Sequence, residues 1–294
     1  MAALAPLLLS IWTRIMAALP FRATVTVGNF IGQIGWLFRT RPAKVTRANL
    51  KHCFPALRDA EIDRLTKASL CHTGRLLAET GITFHWSPDR LETLYRDVEG
   101  ASYLESSLAI KKGVLLLAPH FGNWEMIALY IGRYGFTALY DPPRVASLDA
   151  QIRKTRERTG GSLAPIDGPG LRSVFQALKS GRLTALLPDQ VPAPSAGIYA
   201  PFFGRPALTM TFAHRLIQST KPLVLLCSCR RVKDGFKLCF EPVDEAVYSE
   251  DQLVSVTAMN RAIETLVRKD PAQYQWEYKR FKRLPAGATR LYAD

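Results

Sequence analysis

His120 and Glu125 are the two side chains of this sequence best suited by type and spacing to acid–base chemistry. They follow an apolar run, residues 113–118, that ends in Ala118-Pro119, and a glycine lies between them at position 122. With five histidines and 25 acidic residues in 294 positions, an H-x4-E pair alone arises easily by chance. The pattern of a buried strand, a proline, a histidine and a glycine turn into a helix is much more specific.

The chemistry that such a pair serves is activation of a hydroxyl group by a general base. One imidazole nitrogen takes the proton of the attacking hydroxyl, while the carboxylate holds the other ring N–H and stabilises the imidazolium. Asn123 suits the N-cap of the following helix and puts Glu125 in its first turn, where the helix dipole favours a carboxylate. A tight turn would bring His120 and Glu125 together. The alternative is a structural histidine bonded to backbone carbonyls.

A second pair of polar residues, Asp189 and Gln190, follows another apolar run, residues 183–187. In open α/β sheets the active site lies beyond the carboxyl ends of the strands. Asp189 is therefore expected to orient an arginine or the histidine, and the alternative is that it caps a turn.

The elements that must position these residues follow from the apolar pattern. Residues 1–94 predict helices only, and the clearest runs over 59–81, with Asp59 as its N-cap and Gly81 as its end. From about residue 95, short apolar runs alternate with amphipathic segments. Strands are predicted at 113–118, 136–140, 162–166, 183–187, 223–229 and 237–241, and helices at 123–133, 148–158, 170–179, 209–219 and 251–269.

Such alternation predicts an α/β fold with a mostly parallel central sheet flanked by helices, preceded by an N-terminal helical region that associates with membranes. We expect residues 1–40 to form the membrane-associating segment. Residues 41–294 then form a single domain, helical over 41–94 and with an α/β core over 95–294.

The charge of the chain is unusual, because 39 Lys and Arg against 25 Asp and Glu leave a net charge of +14 and a pI near 9.8. This excess indicates an anionic partner: nucleic acid, an anionic lipid surface or an acidic carrier protein. Residues 1–58 contain eight basic residues and no acid among long apolar segments. That combination favours the surface of an anionic membrane over a nucleic-acid-binding arm.

The first apolar segment is interrupted by Arg14 and Pro20 and lacks the pattern of a secretory signal. Wound as a helix, it has an apolar face and a narrow polar face. The apolar face comprises Leu4, Leu8, Ile11, Ile15 and Leu19, and the polar face Ser10, Thr13 and Arg14. These faces predict an interfacial helix or a tilted anchor, and the alternative is a helix buried against the domain.

Two further groups of basic residues each have two interpretations. The first group lies beside Gly160-Gly161 and comprises Arg153, Lys154, Arg156 and Arg158. It is either a patch that binds phosphate or a carrier protein, or a solvated helix face. The second interleaves Trp276, Tyr278 and Phe281 with Lys279, Arg280, Lys282 and Arg283. It suits a membrane interface or nucleic acid, or else a terminal helix that packs its aromatic rings on the core.

Several classes of site have no support in the sequence. The five cysteines form no C-x-x-C pair and are expected to be free thiols, and no metal site is predicted. There is neither a G-x-S-x-G nucleophile elbow nor a Walker loop.

Six segments in family order resemble the late acyltransferases of lipid A biosynthesis, the lauroyl and myristoyl transferases. The signature block is Leu-Leu-Ala-Pro-His120-Phe-Gly-Asn-Trp-Glu125. The other matching segments are Arg47-Ala-Asn-Leu-Lys-His-Cys-Phe-Pro55, Arg156-Glu-Arg-Thr-Gly-Gly161, Leu-Leu-Pro-Asp189-Gln190, Ala200-Pro-Phe-Phe-Gly204 and Gln275-Trp-Glu-Tyr-Lys-Arg-Phe-Lys282. Together they span residues 40–283.

The resemblance implies a membrane-bound O-acyltransferase at the cytoplasmic face of the inner membrane. The donor would be the thioester of acyl carrier protein, and the acceptor a hydroxyl of a Kdo-bearing lipid A precursor, without a cofactor or a metal. It implies His120 and Glu125 as the catalytic dyad. The residues expected around the substrates are Asn123, Arg156, Arg158, Asp189 and Gln190. Expected partners are acyl carrier protein, the lipid A precursor and anionic inner-membrane lipids, but no nucleic acid.

Between Gln190 and the Pro-Phe-Phe-Gly segment the chain departs from the family, because residues 191–199 carry two prolines where a Gly- and Ser-containing loop is usual. The sequence leaves open the length of the acyl chain and whether the donor is acyl carrier protein or coenzyme A. The alternatives are a related acyltransferase acting on a phospholipid or an aminolipid, and a non-catalytic protein that binds membranes or a carrier protein.

Overall fold

A computed structural model describes residues 4–143 and 146–292. Its centre is a seven-stranded sheet formed by β1 (Tyr95–Glu99), β2 (Val114–Leu117), β3 (Phe136–Tyr140), β4 (Gly161–Pro165), β5 (Leu183–Leu186), β8 (Leu223–Val232) and β9 (Gly235–Pro242). The strands lie in the order β1-β9-β8-β2-β5-β3-β4, and every neighbouring pair is parallel except β8 and β9. The prediction of a mostly parallel sheet flanked by helices is confirmed.

Eleven α-helices occur in the described residues. In chain order they are α1 (Leu4–Ala18), α2 (Phe21–Leu37), α3 (Arg41–Cys53), α4 (Asp59–His85), α5 (Pro88–Glu92), α6 (Ala101–Ala109), α7 (Trp124–Ile131), α8 (Ala146–Glu157), α9 (Gly168–Lys179), α10 (Phe212–Thr220) and α11 (Gln252–Lys269).

The central strand β2 is fully buried because both faces of the sheet are covered. Leu115 and Leu117 pack into one apolar cluster, which includes residues of α9, α10 and α11. Val114 and Leu116 point the other way, into a cluster that includes residues of α6 and α7. A strand buried on both faces appears in the sequence as a continuous apolar run, which is why this strand was predictable.

An antiparallel hairpin formed by β6 (Gly197–Phe202) and β7 (Arg205–Met210) was not predicted. The helix predicted over 209–219 therefore begins only at Phe212, because residues 209 and 210 belong to β7. The hairpin lies in the proline-containing stretch after Gln190, whose pattern is neither periodic nor continuous.

The aromatic and basic segment after residue 275 is part of the core and is not a helix. Trp276 and Phe281 are fully buried, and Arg280 is 2% exposed. The Arg280 guanidinium donates to the carbonyl of Leu208 and to the hydroxyl of Thr209 at 2.6 and 2.7 Å. The prediction that the aromatic rings pack on the core is thus confirmed, whereas the helix and the interfacial role of these rings are wrong.

Helices α1 and α2 pack along α4. At the α2–α4 contact, glycines let the two backbones touch: a Cβ atom on Gly32 would lie 2.3 Å from the carbonyl oxygen of Leu70, and one on Gly74 would lie 2.1 Å from that of Gly28. The long helix α4 therefore anchors the N-terminal helices to the rest of the protein.

The orientation of α1 buries one residue of the predicted polar face and leaves Arg14 of that face exposed. Thr13, on the predicted polar face, is completely buried, and its hydroxyl lies 3.0 Å from Nε2 of His85. Leu8, Ile11 and Ile15, on the predicted apolar face, are 56%, 46% and 53% exposed. The side chain of Leu4 lies outside the described residues. Phe30 and Leu37 of α2, and Phe38 directly after it, are exposed as well.

Within residues 4–143 and 146–292, no helix combines the length and apolar character needed to cross a membrane. All five cysteines are within these residues and are free thiols, as predicted.

Candidate active site

The candidate site is built on the turn that follows β2. Strands β2 and β5 are neighbours, so their carboxyl ends place His120 and Asp189 side by side. Gly122 has φ = +61°, and a Cβ atom there would lie 1.9 Å from the carbonyl oxygen of Cys229 on β8, so only glycine fits this turn.

The C-terminal segment holds the same turn from its other side. The backbone N–H of Gly122 donates to the carbonyl of Gln273 at 2.9 Å, and the N–H of Gln275 donates to the carbonyl of His120 at 3.0 Å. The backbone on both sides of the histidine is thus fixed by hydrogen bonds.

Asp189 contacts His120 at two points. Its Oδ1 lies 2.8 Å from Nδ1 of the imidazole, and its Oδ2 accepts the backbone N–H of His120 at 2.9 Å. Burial alone would raise the pKa of this carboxyl, but the charge and hydrogen bonds of His120 outweigh burial and keep that pKa below its usual value. Because an ionised carboxylate only accepts hydrogen bonds, the proton of a neutral imidazole resides on Nδ1.

The second imidazole nitrogen, Nε2, is consequently the basic one. It accepts a hydrogen bond from the side-chain amide of Gln190 at 3.1 Å. The amide of Gln190 occupies a position from which a hydroxyl group would hydrogen-bond with Nε2.

Glu125 does not supply the carboxylate that faces the imidazole, contrary to the geometry expected from its spacing. It lies in the first turn of α7, as predicted, and its oxygens accept two hydrogen bonds from Arg156 on α8, at 2.9 and 2.5 Å. The Arg156 guanidinium also lies 5.3 Å from the ring centroids of Trp124 and Tyr140. The first turn of α7 therefore directs Glu125 towards α8. Asp189 is the carboxylate that orients the histidine, which is one of the two roles predicted for it.

Asn123 precedes α7 but does not cap it with its side chain. The fully buried amide instead donates to Oε2 of Glu79 on α4 at 2.8 Å. Glu79 also accepts hydrogen bonds of 2.7–3.0 Å from the guanidinium of Arg231 on β8. Asn123 thus occupies the predicted N-cap position, but its side chain ties the site to a buried ion pair instead of capping the helix.

Arg158 is not brought to the imidazole. Its guanidinium donates to the carbonyls of Phe84 and Trp86 at the end of α4, at 3.3 and 3.0 Å. In the basic patch predicted beside Gly160-Gly161, Arg153 pairs with Asp149 and Lys154 is exposed. Of these four residues, Arg156 is the one that reaches the site.

Two cavities meet at Trp124. A narrow apolar pocket, with Glu125 and Arg156 on its wall, runs between α7 and the strands; its apolar lining includes Ala118, Ile127, Ile131, Phe136, Leu139 and Leu163. On the other side of Trp124, a small polar cavity is bounded by His120, His72 and Glu277. The indole Nε1 of Trp124 is buried and has no hydrogen-bond partner among the described residues.

Three residues of this region were not found by sequence reasoning: Glu79, Arg231 and Glu277. Burial raises the pKa of the Glu277 carboxyl, although contributions from Thr73, Gln275 and His120 oppose it. One carboxyl oxygen of Glu277, Oε2, is buried and lacks a partner within the described part of the chain. Glu79 and Arg231 lie in no motif, and Glu277 lies in the segment Gln275–Lys282 without having been singled out; fold topology brings all three to the site. Among residues 4–143 and 146–292, no group of His, Cys, Asp or Glu side chains forms a metal-ligand set.

A mostly parallel α/β sheet, a histidine–aspartate pair at adjacent strand ends and an apolar pocket nearby suit an enzyme that acts on lipids or acyl groups. Residues 3–283 match the sequence profile of the bacterial lipid A biosynthesis acyltransferases. The chain belongs to this family and is an acyltransferase of that type.

Curated relatives are similar over nearly the full chain. The lipid A biosynthesis lauroyltransferase of Escherichia coli (strain K12) is 27% identical over 282 residues, 95% of this chain and 91% of that protein. The palmitoleoyltransferase of the same strain is 28% identical over 278 residues, 93% and 90% of the two chains. Its myristoyltransferase is 23% identical over 273 residues, 90% and 82% of the two chains.

Proposed function

We propose that this enzyme transfers a fatty acyl chain from the thioester of acyl carrier protein to a hydroxyl group of a lipid A precursor, with His120 as the general base. The observation that carries the proposal is the paired imidazole. Its Nδ1 is held by Asp189 and its Nε2 is left basic, beside an apolar pocket.

In this mechanism the acceptor hydroxyl replaces the Gln190 amide at Nε2 of His120. Nε2 takes the hydroxyl proton while the oxygen attacks the thioester carbonyl carbon, and Asp189 stabilises the imidazolium. When the intermediate collapses, the carbon–sulfur bond breaks and the imidazolium proton passes to the leaving thiolate. The histidine returns to its starting state without a cofactor.

We propose that the first carbons of the donor's acyl chain enter the apolar pocket next to Trp124, whose volume of about 50 Å³ does not hold a whole fatty acyl chain. The thioester carbonyl would then lie at the mouth of this pocket, where the Arg156 guanidinium and the Trp124 N–H can stabilise the negative charge that develops on its oxygen. Glu125 acts through Arg156, because its two hydrogen bonds fix the guanidinium in place. Asn123 supports the turn through its hydrogen bond with Glu79. The Gln190 amide occupies the position at Nε2 of His120 that the acceptor hydroxyl takes during the reaction.

We further propose that the enzyme associates with the cytoplasmic face of the inner membrane through the exposed apolar surface of α1 and α2. This surface lies in a segment, residues 1–58, that is basic and contains no acid. Apolar side chains flanked by lysine and arginine bind to anionic lipid surfaces by both burial and charge. The net charge of +14 also suits an acidic carrier protein and an acceptor with phosphates and carboxylates.

The test is transfer by the purified full-length enzyme, followed by mass spectrometry. The donors are acyl carrier protein and coenzyme A thioesters of several chain lengths, and the acceptors are the lipid A precursor, a lysophospholipid and an aminolipid. We expect one added acyl chain on the lipid A precursor with the carrier-protein donor, and none with His120→Ala. Transfer only to another lipid, or only from coenzyme A, would contradict the corresponding part of the proposal.

A further inference from the structure

A second, larger cleft opens on the α4 side of the site. It has a volume of about 430 Å³ and lies between the start of α2, the middle of α4 and the turn that joins β8 to β9. Its polar lining comprises Arg22, His72, Arg75, Arg231, Lys233 and Gln273, together with Glu79 and Asp234.

The cleft contains more positive than negative charge. Arg231 is paired with Glu79, and Arg22 is paired with Asp234 at 2.8 Å. Arg75 and Lys233 are left as the excess cations. Arg75 is partly buried, and its Nε donates to a neutral group, the side-chain oxygen of Asn29, at 2.7 Å.

Burial and the excess positive charge in the cleft lower the pKa values of two basic groups that line it, Arg75 and His72. Burial and the charge of Arg231 lower the pKa of Arg75. Burial, with the charges of Arg231 and Arg75, lowers the pKa of His72 to about 3, so this imidazole is neutral at physiological pH. Its Nδ1 is buried and has no hydrogen-bond partner among the described residues. An anion here would relieve the repulsion and accept hydrogen bonds from these groups.

The cleft adjoins the small cavity at His120, because His72, Arg231 and Gln273 line both. At its other end, Phe21 and Val25 of α2 belong to its lining, and the same helix carries the exposed apolar surface. A lipid whose chains lie along α2 can therefore place its headgroup in the cleft and a hydroxyl near His120.

We propose that this cleft binds an anionic headgroup of the acceptor lipid, a phosphate or a sugar carboxylate, through Arg75 and Lys233. The proposal rests on the proposed function, since it assigns the acceptor to one side of His120 and the donor to the other.

The experiment measures steady-state transfer by full-length Arg75→Gln and Lys233→Gln variants in mixed micelles. Three acceptors are compared: the phosphorylated precursor, its dephosphorylated form and a form without sugar carboxylates. The control is Lys179→Gln, which removes an exposed cation on α9, away from the cleft. Loss of one charge-assisted hydrogen bond should raise the KM for the acceptor about tenfold, with kcat and the KM for the donor unchanged.

The two acceptor chemistries give different results. If phosphate binds in the cleft, the variants lose their effect with the dephosphorylated acceptor; if a carboxylate binds there, they lose it with the acceptor that lacks carboxylates. A rise in the KM for the donor instead would assign the cleft to the phosphate of the carrier's phosphopantetheine arm and overturn the proposal. A KM for the acceptor equal to that of Lys179→Gln would also overturn it.

Direct binding separates this proposal from the proposed function. Binding of the phosphorylated precursor to the full-length enzyme is measured by calorimetry without a donor, and the His72 imidazole is titrated by NMR. We expect bound precursor to raise the pKa of His72 and Lys233→Gln to weaken binding about tenfold, whether or not transfer occurs. Should Arg75→Gln fail to fold, Lys233→Gln decides the outcome, since Lys233 is exposed on a turn.

Discussion

Asp189 holds both the backbone and the ring of His120, although the two residues are 69 positions apart in the chain. One carboxylate thus fixes the position of the histidine and also the nitrogen that carries its proton. An amide in place of this carboxylate could still accept one hydrogen bond, but it would not stabilise an imidazolium.

We therefore expect Asp189→Asn and His120→Ala each to lower kcat by about 10²–10⁴-fold. The measurement is the rate of acyl transfer, with thermal unfolding as the check on folding. Asp167→Asn is the matched control: Asp167 caps α9, and asparagine caps a helix as well as aspartate does. Near-normal turnover of Asp189→Asn would show that the aspartate does not support the base.

Glu125→Gln should reduce kcat less than His120→Ala does, because Glu125 contacts Arg156 and not the imidazole. If Glu125 acts only by fixing Arg156, adding Glu125→Gln to Arg156→Lys should cost little further activity. A double-mutant cycle on kcat/KM measures this coupling. Additive losses would mean that Glu125 has a separate contact with the substrates.

The glycine contact between α2 and α4 predicts opposite effects for two alanine substitutions on one helix. Gly32→Ala should lower the free energy of unfolding by about 1–3 kcal/mol, because its Cβ atom would overlap the backbone of α4. Gly35→Ala should be neutral or stabilising by up to about 1 kcal/mol, because its Cβ atom would meet only the Thr40 hydroxyl, at 3.5 Å. Denaturant unfolding of both variants is the measurement. Equal effects would contradict the close packing of the two helices.

The raised pKa of Glu277 predicts a pH-dependent change in stability. Folding disfavours the ionised carboxylate, so this cost is absent below the unfolded-state pKa of about 4.3 and grows as the pH rises through the higher folded-state pKa. Glu277→Gln should therefore unfold at higher denaturant concentration than the wild type at pH 8, with a smaller difference at pH 4.5. Glu250→Gln, at an exposed position, is the control and should show no such trend. If the stability difference in favour of Glu277→Gln over the wild type were smaller at pH 8 than at pH 4.5, the prediction of a raised Glu277 pKa would be wrong.

The outward-facing apolar residues of α1 predict membrane binding without a spanning helix. Ile11→Gln combined with Ile15→Gln should shift the protein from the membrane pellet to the supernatant at high salt, with little change in melting temperature, since both side chains are about half exposed. Ile110→Gln with Ile166→Gln is the control, because these residues are equally exposed outside the N-terminal helices. Retention of the first variant on membranes would place the membrane contact elsewhere.

The sequence predicted the parts of the fold that depend on local pattern. The continuous apolar runs identified β2 and β5, and the residues after them are those that form the site. The sequence left two possible partners for Asp189, an arginine or the histidine. The choice depends on β2 and β5 being neighbours in the sheet, and no single segment of the sequence determines strand order. The role of Glu79 and that of Glu277, which lies in the matching segment Gln275–Lys282, were not predicted for the same reason: each residue reaches the site through packing between distant segments.

The two hydrogen bonds between the histidine turn and residues 273 and 275 have a consequence for biosynthesis. At about 5–20 residues per second, the ribosome adds the partners of His120 and Gly122 roughly 8–30 seconds after the turn itself is made. Until then the turn lacks these two hydrogen bonds, although Asp189 and Cys229 already contact it. A stop codon at position 270 would leave every strand of the central sheet in the chain but remove both of these hydrogen bonds, and we expect such a chain to be inactive.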